Sequence, residues 1–194
     1  NAVGVFSHQL TDLTPGDTIY YTVYSTNTLG TTFGDTLNFV ASNCVAAEYE
    51  GYVYDLVEID GGCWFAENLR VELYNNGDSI TTGLEPAAWL ATEEGAQTIY
   101  NNDETNLEKY GRLYNWYAVN DSRGLCPVGW RVPSDDEWQG LMWSVNGLDD
   151  LKDSDSGYSD WDGNNSTGFS MLPAGYLQAN GSYGFLGEAA QFWT

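Results

Sequence analysis

A loop rich in aspartate is the stretch of this sequence whose residue types could hold a metal ion. Hard cations such as Ca²⁺ take oxygen ligands, and calcium loops place them at alternate positions. No glutamate closes this loop and its glycine is displaced, so a solvated loop without metal is the alternative. Calcium is the one cofactor that the sequence suggests, with five candidate ligands: Asp153, Asp155, Asp160, Asp162 and Asn164.

Two aromatic residues of the same loop, Tyr158 and Trp161, are candidates for binding a sugar. Exposed rings beside Asp and Asn side chains hold sugars by stacking and hydrogen bonding. Four other tryptophans fall in ordered motifs or on apolar faces and are predicted to be core: Trp64, Trp116, Trp130 and Trp138. Tyr158 and Trp161 are therefore the predicted ligand-binding residues.

The cysteine and histidine content argues against most catalytic chemistry. Cys44, Cys63 and Cys126 match neither a CxxC pair nor a zinc pattern. His8 is the single histidine, whereas Ser-His-Asp and Cys-His sites need one beside the nucleophile and histidine metal sites need several. We predict a surface or packing role for His8 and no catalytic residue.

The charge balance is strongly acidic, with 28 Asp and Glu residues against 6 Lys and Arg residues and a net charge of -22. An acidic surface repels phosphate backbones and anionic membranes, so no nucleic-acid partner is expected. No stretch approaches the ~20 apolar residues that span a bilayer, so no membrane-spanning segment is expected. The acidity itself favours either high solubility or divalent-cation binding.

Residues 1–41 are predicted to be all-β, with an alternating strand from Thr18 to Ser25 and a last strand ending at Val40. The stretch "LTPGDTIYYTVYSTNTLGTTFG" resembles the C-terminal strands of a fibronectin type III domain of the variety common in bacterial surface proteins. Ile19 stands where that family has a tyrosine. The earlier strands are missing, so we expect either that the chain is a fragment or that the segment packs on its neighbour. In a surface fibre, another chain would complete it.

Two less regular regions follow. Residues 42–51 are predicted to be a connector that holds Cys44. A hairpin is predicted around the turn at Asp60-Gly61-Gly62. Apolar spacing predicts a helix over residues 107–119, although Gly111 interrupts it.

The firmest helix signal begins at Ser134, because Glu137 three residues later completes a capping box. A helix is predicted over residues 135–145, with one apolar face formed by Trp138, Leu141, Met142 and Val145. Asn180-Gly181 predicts a further hairpin turn.

Four motifs, "VYDLVEIDGGCWFAENLR", "YGRLYNWYAVN", "LCPVGWRVPSDDEW" and "GFSMLPAGY", occur in this order. They resemble the Fibrobacter succinogenes major paralogous domain, a family of secreted and cell-surface bacterial modules. The third motif is also similar to a segment of formylglycine-generating enzymes, whose fold is C-type-lectin-like. The resemblance implies an α+β domain over residues 52–194, with two short helices, small antiparallel sheets and long loops, which stops short of the family's C-terminal end.

The resemblance also implies roles for the cysteines. Family members carry one cysteine before the first hairpin and another in a motif like that of Cys63, which implies a disulfide between Cys44 and Cys63. Cys126 would pair with a cysteine beyond Thr194 and is expected to be unpaired in this chain. A disulfide in turn implies an oxidising, extracellular or cell-surface setting.

Enzymatic activity is not expected from the resemblance. Formylglycine-generating enzymes use a late pair of cysteines that this chain lacks, and the related iron-dependent synthases need histidines that are absent here. The expected function is a non-catalytic extracellular module of a bacterial cell-surface or secreted multidomain protein, serving adhesion by binding a glycan or a protein. The alternatives are a structural subunit of a surface fibre, self-assembling through the N-terminal β segment, and a formylglycine-generating-type enzyme.

Overall fold

The computed structural model describes residues 10, 13–14, 16–42, 44, 46–178 and 180–194. The chain divides into two compact units, Asn1–Val45 and Ala46–Thr194. His8 lies outside the described residues, so its predicted role stays a prediction.

The first unit contains one long antiparallel hairpin, formed by β1 (Thr18–Asn27) and β2 (Gly30–Val40). Tyr21 pairs with Leu37 and Ile19 pairs with Phe39, which places these apolar side chains on one face. Both predicted strands are confirmed, and the register between them shifts between Thr22 and Tyr24. Nearly every residue of both strands is exposed, because the described residues of this unit supply no second layer.

The second unit contains four further two-stranded antiparallel sheets among its described residues. They pair β3 (Ala47–Tyr49) with β4 (Tyr52–Tyr54), β5 (Leu56–Ile59) with β6 (Gly62–Phe65), β7 (Gln97–Thr98) with β8 (Leu113–Tyr114), and β9 (Ala174–Leu177) with β10 (Tyr183–Leu186).

Turn residues with positive φ explain two of these hairpins. Asp60 and Gly61 have φ of 51° and 73°, the left-handed pair that a tight two-residue turn requires, and the predicted hairpin is confirmed. Glu50 and Gly51 do the same at 49° and 74°. Part of the predicted connector, Ala47–Tyr49, is therefore a strand.

Four short α-helices and three single 3-10 turns complete the second unit as described. The helices are α1 (Pro86–Ala91), α2 (Leu107–Tyr110), α3 (Trp116–Val119) and α4 (Asp135–Ser144), and the 3-10 turns lie at Tyr100–Asn102, Glu104–Asn106 and Leu148–Asp150.

The start of α4 follows its capping box. The Ser134 hydroxyl accepts from the Glu137 N–H, and the Glu137 carboxylate accepts from the Ser134 N–H at 2.8 Å. The predicted helix is confirmed to within one residue. One part of its predicted apolar face is wrong, since Met142 is exposed while Leu141 is buried.

The single helix predicted over residues 107–119 is wrong. Gly111 ends α2 with φ +68°, and a Cβ there would lie 2.8 Å from the Asn68 Cβ and from the Leu69 carbonyl. This close approach of backbone needs glycine. Beyond it the chain extends into β8 before α3 begins at Trp116.

Two clusters of buried side chains form the core of the second unit. One joins Val71, Tyr74, Ile80, Ala118 and Leu125. The other joins Ile59, Leu141, Leu151 and Phe169, with Trp64 and Trp138 packed against it. The fold is thus mixed α and β, with small antiparallel sheets and few short helices. Within the described residues no helix has the length and apolar character needed to cross a membrane.

The disulfide implied by the resemblance is present, joining Cys44 to Cys63. Cys126 carries a free thiol.

Candidate functional site: an aromatic groove

A half-open cavity of about 1000 Å³ lies in the second unit and is lined mainly by aromatic and aliphatic side chains. We call it the aromatic groove. Strands of three different sheets contribute to its wall, namely β6, β8 and β9. Its aromatic lining consists of Trp64, Phe65, Trp89, Tyr110, Tyr114, Trp116, Tyr117, Trp130, Trp138, Phe169, Tyr176, Phe192 and Trp193.

Short local signals place the rings of α3 at the groove. Asn115 caps this helix, because its side-chain oxygen accepts from the Ala118 N–H at 2.9 Å. The next two residues, Trp116 and Tyr117, both line the groove and remain exposed. The prediction that Trp116 belongs to the core is wrong, since 44% of its surface is exposed.

Residues 190–193 form a second part of the wall. The Phe192 ring lies 4.8 Å from that of Trp138. The Trp193 ring lies 5.7 Å from that of Trp116, and its indole N–H donates to the Tyr114 carbonyl at 2.9 Å. Trp193 is 44% exposed, so two tryptophan rings meet and both present surface to solvent.

The charged side chains that line the groove are Glu67, Arg112 and Arg131, and each is paired. Arg112 forms an ion pair with Glu72, and Arg131 forms one with Glu137. The Glu67 carboxylate accepts from the Tyr52 hydroxyl at 3.1 Å and lies 3.8 Å from the Arg70 guanidinium. The groove therefore offers rings and amides without an unpaired charge.

Cys126 lines the same groove. Burial raises the pKa of its thiol to about 11. Because the thiolate is the nucleophilic form, this thiol is protonated and weakly reactive at neutral pH.

Three of the predicted calcium ligands form hydrogen bonds within the loop or to the residues just before it. Asp153 accepts from the Asp155 N–H at 2.7 Å, and Asp162 accepts from the Ser156 N–H at 2.9 Å. Asn164 donates to Asp150 at 2.9 Å, whereas Asp155 and Asp160 are exposed. Nowhere in the described parts of the chain do three or more His, Cys, Asp or Glu side chains come together as a metal site. Calcium binding by these five residues stays a prediction.

Asp153 and Asp155 instead line a second, polar cavity of about 590 Å³. Its wall also includes Glu67 and Arg70, whose Oε2 and Nε atoms are buried without a hydrogen-bond partner. These two atoms have essentially no accessible surface, so they do not by themselves define a ligand site.

The predicted sugar-binding rings do not line the aromatic groove. The Trp161 indole N–H donates to the Met171 carbonyl at 3.0 Å, and the Lys152 ammonium lies 5.2 Å from its ring centroid. The Tyr158 ring packs against Gly187, where an added Cβ would lie 2.5 Å from it. Both rings support the loop, and a role for them in binding stays a prediction.

Sequence reasoning missed Trp116, Tyr117 and Trp193 as groove residues. The adjacent aromatic pairs Trp116-Tyr117 and Phe192-Trp193 were not a sufficient signal, because the contact between Trp116 and Trp193 joins residues remote in sequence.

A model of the family described as the Fibrobacter succinogenes major domain matches residues 57–194. No curated protein and no solved structure was found to match the chain.

Proposed function

The chain belongs to the Fibrobacter succinogenes major domain family, and from that premise we propose that it is a non-catalytic extracellular binding module whose ligand lies in the aromatic groove. The module would serve adhesion by a bacterial cell-surface or secreted multidomain protein. The Cys44–Cys63 disulfide supports an extracellular setting, since disulfides persist in oxidising compartments.

Finer aspects of the fold are part of the same proposal. A C-type-lectin-like fold for residues 52–194 is supported by the small antiparallel sheets, the short helices and the family. A fibronectin-type-III-like origin for residues 1–41 is supported by the antiparallel hairpin β1–β2.

The observation that carries the proposed function is the pair of exposed rings at Trp116 and Trp193. Large concave apolar surfaces on soluble proteins mark binding sites. Here the exposed rings line a groove of about 1000 Å³ whose charged side chains are already paired. Such a surface suits an uncharged ligand held by stacking and apolar contact.

Binding measurements on three variants test this function. The protein would be screened against arrays of extracellular glycans and of peptides, and hits would be measured by calorimetry. We expect Trp116→Ala and Trp193→Ala each to weaken binding at least about tenfold, since a buried aromatic contact contributes more than ~1.4 kcal/mol.

Trp143→Ala is the matched control, because Trp143 is 82% exposed on α4 and does not line the groove. It should bind like the wild type. Equal losses for Trp143→Ala and Trp116→Ala, or no ligand from either array, would contradict the proposal.

A second candidate function, a subunit of a surface fibre, is favoured by the exposed hairpin β1–β2. Its apolar face includes Tyr21, Leu37 and Phe39, all exposed. A two-stranded hairpin is marginally stable alone, so a covering partner would stabilise it. Sedimentation velocity should show association with rising concentration, lost in Leu37→Asp and kept in Thr36→Asp on the opposite face. A monomer at every concentration would count against the fibre.

A further inference from the structure

We infer that the ligand of the aromatic groove is an extended polypeptide strand, apolar in alternate side chains and not acidic, which adds to the outer edge of β6. The inference rests on the proposed function, because it names the ligand class for the same groove. It is drawn from the edges of the small sheets, from the irregular segment that forms part of the groove's wall, and from charge.

The register of β5 and β6 leaves backbone groups of Phe65, a residue of the groove's wall, pointing away from β5. Ala66 donates its N–H to the Asp55 carbonyl at 2.9 Å, and Phe65 lies opposite Leu56. Hydrogen-bonded and non-bonded positions alternate in antiparallel pairs, so the N–H and C=O of Phe65 point away from β5. Phe65 lines the groove, and the described residues bring no strand to that side of β6. The backbone groups of Phe65 are thus placed to pair with an added strand.

On β8, a backbone carbonyl at the edge of the sheet is hydrogen-bonded by a side chain. Asn115 donates its N–H to the Ala96 carbonyl at 3.0 Å, which turns the Tyr114 carbonyl outward. That carbonyl accepts from the Trp193 indole at 2.9 Å. The indole N–H thus donates the hydrogen bond that the backbone N–H of a neighbouring strand would otherwise donate.

An irregular piece of this same chain forms part of the groove's wall. Residues 189–194 form neither helix nor strand, and Phe192 places its ring 4.8 Å from that of Trp138 and 6.3 Å from that of Phe169. The rings of the wall therefore pack against an apolar side chain of a segment without regular structure.

Charge restricts the composition of the added strand. The groove's charged side chains are paired, and the chain carries a net charge of -22. An acidic segment would be repelled, whereas a neutral or basic one would not.

A synthetic probe tests the inference directly. The probe is a short peptide of alternating valine and threonine with a lysine at each end, acetylated and amidated. We expect it to bind the wild-type protein and to bind Trp116→Ala at least about tenfold more weakly. The same peptide with glutamate ends should bind more weakly than the lysine form.

Backbone methylation distinguishes strand addition from mere apolar adsorption. Methylating the amides at one set of alternate positions should weaken binding by about fivefold to tenfold, because it removes hydrogen bonds to β6. Methylating the other set should change affinity little. Hydrogen exchange at the Phe65 amide should slow when the peptide is bound.

Equal effects of the two methylation patterns, or unchanged exchange at Phe65, would overturn the inference. Absence of peptide binding would overturn it as well. If a glycan then binds the wild type but not Trp116→Ala, the proposed function survives with a different ligand class. If neither glycan nor peptide binds, the proposed function fails together with the inference.

Discussion

Burial controls the chemistry of Cys126, whose thiol pKa is raised to about 11. Iodoacetamide reacts with the thiolate, so labelling of the native protein at neutral pH should be slow and should rise about tenfold per pH unit toward pH 11. Quenched time points analysed by mass spectrometry give the rate. The unfolded chain, with an ordinary cysteine pKa of about 8.5, is the reference. A native rate at neutral pH equal to the unfolded rate would disprove this.

Glu137 makes a pH-dependent contribution to stability. The Arg131 guanidinium and the Ser134 N–H hold the pKa of this carboxyl at about 2, below its ordinary 4.5. The unfolded state binds this proton more tightly, so the contribution is complete above about pH 4.5 and is lost as the pH falls toward 2. Between neutral pH and pH 2 the melting temperature of Glu137→Gln should fall less than that of the wild type. An equal fall in melting temperature for the two proteins would contradict this.

Individual residues could be predicted where the physics is local. The Ser134–Glu137 capping box depends on residues three positions apart, and the sequence was sufficient to predict it. The exposure of Trp116 depends on Trp193 and on residues 190–193, which are remote in sequence. No local pattern could distinguish its groove position from a core position.

Packing of α4 on the second core cluster stabilises the domain through one face of the helix. Leu141 is 2% exposed there. Leu141→Ala should lower the free energy of unfolding by about 2–5 kcal/mol, from lost transfer energy and the cavity left behind. Urea denaturation measures the change. Trp143→Ala on the exposed face of the same helix is the control, and it should stay within about 0.5 kcal/mol.

The disulfide between Cys44 and Cys63 closes a loop that contains β3, β4 and β5. Replacing both cysteines by serine should cost about 3 kcal/mol in unfolding free energy for a loop of this size. Cys126→Ser keeps the bridge and should cost about 1 kcal/mol or less. Reductant should lower the unfolding free energy of the wild-type protein to that of the double variant. A reductant effect on the double variant itself would point to another cause.

Hairpins were the elements most accessible to prediction, because their turns are encoded by adjacent residues such as Asp60-Gly61 and Asn180-Gly181. The segment 107–119 was not predictable in the same way. Its apolar spacing fits a helix, yet Gly111 approaches Asn68 and Leu69, and β8 pairs with β7. Both determinants are tertiary contacts with residues elsewhere in the chain, and they override local periodicity.

The net charge of -22 makes the stability of the whole molecule sensitive to ions. Added salt should raise the melting temperature by screening self-repulsion. If the loop binds calcium, CaCl₂ should raise the melting temperature more than MgCl₂ does at equal ionic strength. Asp160→Asn should reduce that difference. Identical curves for the two salts, unchanged by EDTA, would remove the calcium prediction and leave only screening.

The rings of Trp64, Trp138, Phe169 and Phe192 contact one another although they come from widely separated parts of the chain. Hairpins between neighbouring strands can form within microseconds. Bringing these four rings together requires closing long loops, which costs entropy before any contact compensates for it. Assembly of the ring cluster is therefore expected to be the late, slow event of folding, and tryptophan fluorescence would follow it after the hairpins have formed.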